Sequence, residues 1–525
     1  MTEALTRARN RALPVDSSGF SHVRRRFAQV ISRFMVPIVI AIGCAIRLRI
    51  FFFNRPLWLD EALLSNELIS RSFGDLLTMP SETQVAPLGY MAIAKVTINM
   101  FGVGEQALRA PALMAGLAAL FIALPISRRA LSGRLPRLVF VSLVAFAPGL
   151  IYYSTEAKQY SFDVAATLLI YWLALRYSQD RKGLRALAVA GSAVVWFSHG
   201  SVFVVAGVGI WLGMRWLQRR EPRKIVGVVA LWVSQIIAMR LVTRMSAELA
   251  GYVSEYWMPY FAPLPPRSSV EVRWYADSLA SIFSYSFTGS APGYWHGTPN
   301  TLPLTGAVVV GAGVAFIIAT VATRRHALPT VLGAAAGLPL LASGLGLYPF
   351  GARAALFLVP IVFLAVSLVL DLHLSLASGF MTKVASALST LVLILIVAGS
   401  AQDIATPEPG SDIRSTIDYV LEHQQPGDLV IVSDQTEAAY EYYRVRDDLA
   451  VPPRVGVLDQ PYESGRLLNE FGGSDRARVW LLFNQRVEEV PPLMSDLSSD
   501  SRLRDWHAAS GSVVLLTDLS EGDDA

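Results

Sequence analysis

Arg55-Pro56-Leu57-Trp58-Leu59-Asp60-Glu61 follows directly on an apolar run, Phe34–Phe53. A run of about 20 apolar residues is what a helix needs to cross a bilayer. Two adjacent carboxylates therefore stand just beyond the end of the first expected span. After them, Leu64, Leu68, Ile69, Phe73, Leu76 and Leu77 recur at helical spacing. That pattern predicts an amphipathic helix lying on the membrane surface. Asp60 has two readings here. It caps that helix, or it takes a proton from an acceptor hydroxyl at the membrane interface.

The rest of the chain fits a membrane setting. Of its 525 residues, 53% are hydrophobic and 16% are charged, where an ordinary soluble protein carries about 25% charged residues. The apolar residues fall into runs that predict spans at 34–53, 106–126, 138–154, 160–177, 185–198, 200–216, 225–242, 303–322, 328–347, 353–370 and 384–400. Arg24-Arg25-Arg26 before the first run imitates a signal peptide, but the run is too long for one and has no small-residue cleavage site. Cytoplasmic loops collect Lys and Arg. The tail 1–33 carries Arg7, Arg9, Arg11, Arg24, Arg25, Arg26 and Arg33, and the loop after the second span carries Arg128, Arg129, Arg134 and Arg137. Arg181, Lys182 and Arg185, then Arg215, Arg219, Arg220, Arg223 and Lys224, then Arg324 and Arg325 mark every second connection after that. The alternation predicts a cytoplasmic N-terminus and an extracytoplasmic C-terminus in the plasma membrane. Residues 86–101 are apolar as well, but the stretch is short and contains Lys95. Counting it as a span would invert every later loop, so it reads as a helix at the outer surface.

The expected fold is thus an all-α polytopic membrane protein of about 11 transmembrane helices, 34–400, with a small C-terminal extracytoplasmic α/β domain, 407–525. The outer side holds loop 54–105, loop 243–302 and that tail. The tail begins at Pro407-Glu408-Pro409-Gly410 and predicts a helix at 412–424, a strand at 429–432, a helix at 436–443, and strands near 478–483 and 512–516. It contains no Gly-rich phosphate loop, and the chain has no internal repeat. The net charge of +4 is small and clustered, which excludes a nucleic-acid partner. Cys44 is the single cysteine, so an internal disulfide is impossible.

Four further places carry candidate chemistry. Tyr152-Tyr153-Ser154-Thr155-Glu156-Ala157-Lys158-Gln159-Tyr160 forms a short outer turn at the depth of Asp60. Glu156 and Lys158 are either snorkelling, solvated charges, or an acid that steers an acceptor or holds a metal and a cation that meets a phosphate. His199, at the turn Trp196-Phe197-Ser198-His199-Gly200, is either a hydrogen-bonded turn residue or a ligand. Arg353, in Tyr348-Pro349-Phe350-Gly351-Ala352-Arg353, is either an interfacial anchor or a clamp on a lipid phosphate, for which a guanidinium is suited. Arg240 and Arg244 are weaker candidates of the same kind. The aromatics Tyr252, Tyr256, Trp257, Tyr260, Trp274, Tyr285, Tyr294 and Trp295 read as an interfacial belt, with sugar stacking as the alternative.

Trp58-Leu59-Asp60-Glu61, Ala86-Pro87-Leu88-Gly89-Tyr90, Phe101-Gly102 and Glu105-Gln106-Ala107-Leu108-Arg109-Ala110-Pro111 together resemble the N-terminal region of GT-C fold membrane glycosyltransferases. The bacterial branch resembling protein O-mannosyltransferases and lipid A aminoarabinose or galacturonic acid transferases is the nearest match. The turn Glu156-Ala157-Lys158-Gln159-Tyr160 resembles that family's Glu-x-Arg-x-Tyr pattern, with Lys158 where arginine is usual. This keeps the charge and removes the bidentate fork. The resemblance extends over roughly 50–200, more loosely over 245–370, and not into the tail.

The resemblance implies a polyprenyl-phosphate sugar donor and an extracytoplasmic acceptor: a cell-envelope glycan, lipid or protein. It implies Asp60 as the catalytic base, with Glu61 and Glu156 shaping the acidic site or binding a divalent cation. Lys158, Tyr160, His199 and Arg353 would hold the donor, and transfer would invert the anomeric carbon. The tail, lacking a catalytic motif, is assigned to acceptor handling or partner docking. The rival readings are a transporter or flippase, and a non-catalytic polysaccharide-export component. Against the first, few ionisable residues lie mid-membrane, where ion-coupled transporters keep theirs.

Overall fold

The computed structural model describes residues 17–219, 222–288, 328–376, 379, 410–447, 449–473, 478–485 and 487–520. The expected spans 303–322 and 384–400 lie outside these. Helix α1 is Ser17–Phe53, so the second half of the basic tail is helical and continuous with the first apolar run. Among the described residues, five helical stretches are long and apolar enough to cross a membrane: Phe34–Phe53, Glu105–Ala130, Ser201–Gln218, Arg223–Val242 and Arg353–Ser375.

Between the first two of these lie α2 (Leu59–Ser70), α3 (Phe73–Thr78) and α4 (Leu88–Phe101). Helix α4 has 14 residues, about 21 Å at 1.5 Å per residue, too short to cross. It buries Tyr90, Met91, Ala94 and Ile98 and exposes Met100 and Phe101. Lys95 Nζ donates to Leu68 O at 2.7 Å, capping a carbonyl at the end of α2. Its charge therefore serves the packing of α4 on α2. The N-cap of α2 is Trp58, whose backbone N–H donates to the Glu61 carboxylate at 3.0 Å. Glu61, and not Asp60, does the capping.

Helix α5 (Glu105–Ala130) is followed by α6 (Arg134–Phe146) and α7 (Pro148–Tyr153). The expected continuous span 138–154 is thus broken at Ala147-Pro148. Pro148 has no N–H to continue the helix. The orphan carbonyls of Val144 and Ala145 are taken by the buried Arg47 guanidinium at 3.1 and 2.8 Å. The break aims α7 at the 154–159 turn. That turn packs close on α5, where a side chain at Gly116 would run into Ser154. The chain continues through α8 (Tyr160–Asp180), α9 (Leu184–Val194), α10 (Ser201–Arg219), α11 (Pro222–Val242), α12 (Ala247–Trp257), α13 (Ser269–Thr288), α14 (Leu328–Gly344), a 3-10 turn (Ala352–Leu358) and α15 (Val359–Leu376). The expected span 185–198 is the 11-residue α9 plus a turn, and the expected span 353–370 begins as the 3-10 turn. At the end away from Asp60, the Asp371 carboxylate accepts the Ser132 and Gly133 N–H groups at 2.8 and 2.7 Å and fixes the start of α6.

The C-terminal residues form α16 (Ile413–His423), β1 (Leu429–Ser433), α17 (Glu437–Asp447), β2 (Arg454–Leu458), α18 (Ser464–Phe471), β3 (Val479–Asn484), α19 (Pro491–Ser499), β4 (Leu503–Ala509) and β5 (Ser512–Thr517). The sheet order is β2-β1-β3-β5-β4, with β1 parallel to β2 and β3 and with β5 antiparallel to β3 and β4. Strands β2 and β4 sit at the edges and were not expected from the sequence. One sheet face packs on α18 and α19 through Leu481, Leu493 and Leu515. The other is continuous with the first loop. Leu57, Leu64, Leu68, Tyr90 and Leu108 share a single apolar core with Ile413, Tyr442, Tyr443, Trp480 and Leu516.

Candidate active site

Asp60 and Glu61 are neighbours on the first turn of α2, yet they point into different surroundings. The Glu61 carboxylate is fully buried and accepts four N–H groups. These are Arg109 Nε at 2.8 Å, Arg109 Nη2 at 2.7 Å, Ala157 N at 2.6 Å and Trp58 N at 3.0 Å. Arg109 also donates to Arg55 O at 2.6 Å and Pro56 O at 3.1 Å. This forked pair ties the loop after α1, the start of α5 and the 154–159 turn together. Burial pushes the Glu61 carboxyl up, but the Arg109 charge and these hydrogen bonds reverse this and hold it below the usual value.

Asp60 faces a different set. An Arg353 Nη1 contacts its Oδ2, Lys158 Nζ lies 4.0 Å from Oδ2, and Gln84 Nε2 lies 3.5 Å from Oδ1. Lys158 Nζ in turn donates to Gln84 Oε1 at 2.6 Å. The Arg353 guanidinium sits 6.0, 5.9 and 5.7 Å from the ring centres of Tyr160, Tyr256 and Trp257. These distances are those of cation–π contacts. The arrangement follows from local packing. Phe350 N donates to Tyr260 O at 2.8 Å and Ala262 N to Ser343 Oγ at 2.8 Å, which join the end of α12 to the Arg353 turn. Loop 1 meets the start of α12 through Ser81, whose N–H donates to Arg244 O at 3.0 Å.

The electrostatics separate the acids further. Burial pushes the Asp60 carboxyl up, and the charges of Arg353 and Lys158, with hydrogen bonds from Arg353 and Gln84, more than reverse this. Asp60 is therefore held ionised below the usual aspartate value. Glu156 goes the other way. Burial, then the neighbouring Glu61 charge, push it up to about 7, and its Oε2 has no hydrogen-bond partner among the described residues. Burial lowers Lys158, and the Arg353 charge adds to the effect. Glu156 and Lys158 are 2% and 3% exposed, so the solvated-charge reading of that turn does not hold.

Asp60, Lys158, Tyr160 and Arg353 thus come together as one centre, with Glu156 electrostatically coupled to it. His199 stands apart, with no hydrogen bond or ion pair to Asp60, Lys158 or Arg353. Burial lowers its pKa to about 4 and keeps it neutral. Arg240 and Arg244 are exposed and also join none of these groups. Gln84 and the role of Arg109 were not singled out from the sequence. Arg109 carried a usable signal, because a charge inside the first turns of an apolar helix demands a partner. Gln84 carried none. Tyr256 and Trp257, read as interfacial belt, instead wall the Arg353 side of the centre.

No family model matches the chain, and no curated protein does. Solved structures do. The Archaeoglobus fulgidus oligosaccharyltransferase, in complex with Zn and sulfate, superposes with a TM-score of 0.50 at 11% identity, over 92% of this chain and 73% of that one. The fold is that of the GT-C membrane glycosyltransferases. ArnT from Cupriavidus metallidurans bound to undecaprenyl phosphate aligns over 91% of this chain and 97% of that one, at 12% identity and a TM-score of 0.49. The mycobacterial arabinofuranosyltransferase AftD covers 92% of this chain and 40% of its own at 14% identity and a TM-score of 0.42. Among the described residues, the five helices long and apolar enough to cross a membrane fit such a multi-pass fold.

The donor set does not suit a divalent cation. Among the described residues no three metal-ligating side chains cluster. Both Glu61 oxygens are occupied by Arg109, Ala157 and Trp58, and Asp60 stands between two cations. A bound metal would have to displace them against like-charge repulsion.

Proposed function

We propose that this protein is an integral membrane glycosyltransferase that moves a sugar from a polyprenyl-phosphate donor to a hydroxyl of an extracytoplasmic glycan, lipid or protein. The observation that carries this reading is the Asp60–Arg353–Lys158 centre: one ionised carboxylate facing two cations beside an aromatic wall. The basic loops at the opposite ends of the helices orient it. The N-terminus and those loops face the cytoplasm, and Asp60 with the C-terminal α/β domain, 407–525, faces outward.

The chemistry needs a base and an anion-stabilising pair. The acceptor hydroxyl is a poor nucleophile, and a placed carboxylate typically contributes about 10²–10⁴-fold by removing its proton. Asp60 takes that proton as the acceptor oxygen bonds to the anomeric carbon. The bond from that carbon to the phosphate oxygen breaks, and its electron pair leaves on the lipid phosphate. Arg353 and Lys158 neutralise the charge that develops there. Attack opposite the leaving group, without a covalent intermediate, inverts the configuration. Asp60 is masked by Arg353 before the donor arrives. The donor phosphate competes for Arg353 and Lys158, draws them off the carboxylate, and so raises its basicity when there is a sugar to transfer.

The test is to incubate the purified protein with a panel of polyprenyl-phosphate sugars and analyse lipid and glycan products by mass spectrometry. Release of polyprenyl phosphate with a mass increase in an acceptor is expected for at least one donor. A transporter or a non-catalytic export component would give no product from any donor, and that outcome would overturn the assignment.

A further inference from the structure

Asp60 lies three residues beyond a turn, 54–57, that is held from two sides. From within the membrane region, Arg109 binds the Arg55 and Pro56 carbonyls at 2.6 and 3.1 Å. From the C-terminal unit, Arg414 Nη2 donates to Asn54 O at 2.7 Å, and the buried Tyr443 hydroxyl accepts the Leu57 N–H at 2.9 Å. Tyr443 donates its own O–H to Glu105 Oε1 at 3.1 Å. Glu105, 3% exposed at the first position of α5, also pairs with Arg446 and, at 3.5 Å, with Arg414. The Arg446 guanidinium stacks over the Tyr443 ring at 4.7 Å. Beside this, Asn66 Nδ2 of α2 donates to Ala438 O of α17 at 2.8 Å.

The buried acid at the start of α5 thus has its cationic partners in the C-terminal unit, more than 300 positions away in the chain. Together with the shared apolar core, this makes the last part of the chain one wall of the loop that carries Asp60. A domain that only gathered acceptors would have no need of this bond network. We infer that the C-terminal α/β unit is a positioning element of the reaction centre, in which Tyr443 and Glu105 hold the 54–57 turn and through it set the place of Asp60. This rests on the proposed role of Asp60 and assigns Tyr443 no contact with substrate.

The test uses the full-length protein and two variants, Tyr443→Phe and Glu105→Gln. Hydrogen exchange read by mass spectrometry over residues 54–60 reports the turn directly. Loss of the hydroxyl is expected to quicken exchange at Leu57 by about 10-fold, the scale of one hydrogen bond. Transfer should fall about 10-fold in kcat with the donor KM unchanged, because a base displaced by a fraction of an ångström loses rate and not binding. In an Asp60→Asn background Tyr443→Phe should cause no further loss. A merely structural role would lower activity in both backgrounds alike. Unchanged exchange at 54–60 in both variants, or quickened exchange with full kcat, would overturn the inference. Should the wild-type protein transfer no sugar, the failure belongs to the assigned reaction, and the exchange rates still decide whether the tether exists.

Discussion

Two charged centres grow from adjacent residues, and they are built on opposite plans. At Glu61 both carboxylate oxygens accept two hydrogen bonds each, the pair with Arg109 is forked and fully buried, and three segments converge on it. At Asp60 the partners are fewer. One cation is in contact, one stands 4.0 Å away, and the amide of Gln84 is at 3.5 Å. A saturated buried carboxylate cannot accept a proton or release a partner without unfolding its surroundings. One held by exchangeable cations can do both. The sequence motif shows two acids, and the proposed base is the one whose partners can exchange.

That contrast can be broken first at Arg109. Arg109→Met strands the Glu61 charge in an apolar setting, and removing one partner of a buried pair costs about 3–5 kcal/mol. Thermal unfolding in detergent should show a large loss of stability, and a variant as stable as the parent would mean that Glu61 is not a structural clamp. Arg353→Ala should cost less stability, because Lys158 remains beside Asp60. It should weaken lipid-phosphate-sugar binding by about 10- to 150-fold, the equivalent of one charge-assisted hydrogen bond at about 1.5–3 kcal/mol. Arg353→Lys should restore part of this. Unchanged affinity in a direct binding measurement would move the phosphate contact to Lys158 alone.

A third test concerns Glu156. Its folded pKa, about 7, lies above the ordinary 4.5 of an unfolded glutamate. A raised carboxyl binds its proton more tightly when folded, so its contribution to stability is fully present below about pH 4.5 and fades as pH rises through 7. Wild-type stability should therefore decline between those values, and Glu156→Gln should flatten that slope. Equal slopes in unfolding curves across this window would show that Glu156 does not titrate as its burial requires.

Smallest is the aromatic wall. Trp257→Leu keeps apolar bulk but removes a ring from Arg353, a contact worth about 0.5–1 kcal/mol when partly exposed. Donor affinity should drop about 2- to 5-fold. A loss as large as that of Arg353→Ala would mean that the ring binds the sugar itself.

Much of this was legible beforehand. The C-terminal strands 429–432, 478–483 and 512–516 follow from periodicity and length and fall within a few residues of the observed ones, and among the described residues the apolar runs are helical, with 138–154 broken at Ala147-Pro148 and 185–198 ending early. The pairing of Asp60 with Arg353 was not legible, because nearly 300 residues separate them and no local pattern records which cation meets which acid. The edge strands β2 and β4 were missed because Arg454 and the alternating Leu503–Ala509 stretch look like solvated loop. Asp60 read equally well as a helix cap until the Trp58 N–H was seen to donate to the Glu61 carboxylate. The tail's contact with loop 1 left no motif, since one tyrosine and two arginines spread over two helices, Arg414 on α16 and Tyr443 with Arg446 on α17, are ordinary surface composition.

The most direct test of the account sets Asp60→Asn beside Glu61→Gln and measures sugar transfer per folded molecule together with thermal stability. Asp60→Asn should fold and insert like the parent and lose at least about 100-fold in turnover, the low end of what a positioned general base contributes. Glu61→Gln should be markedly less stable yet retain most of its turnover per folded molecule. An active, stable Asp60→Asn protein, or a stable Glu61→Gln protein without activity, would contradict the division between the two acids.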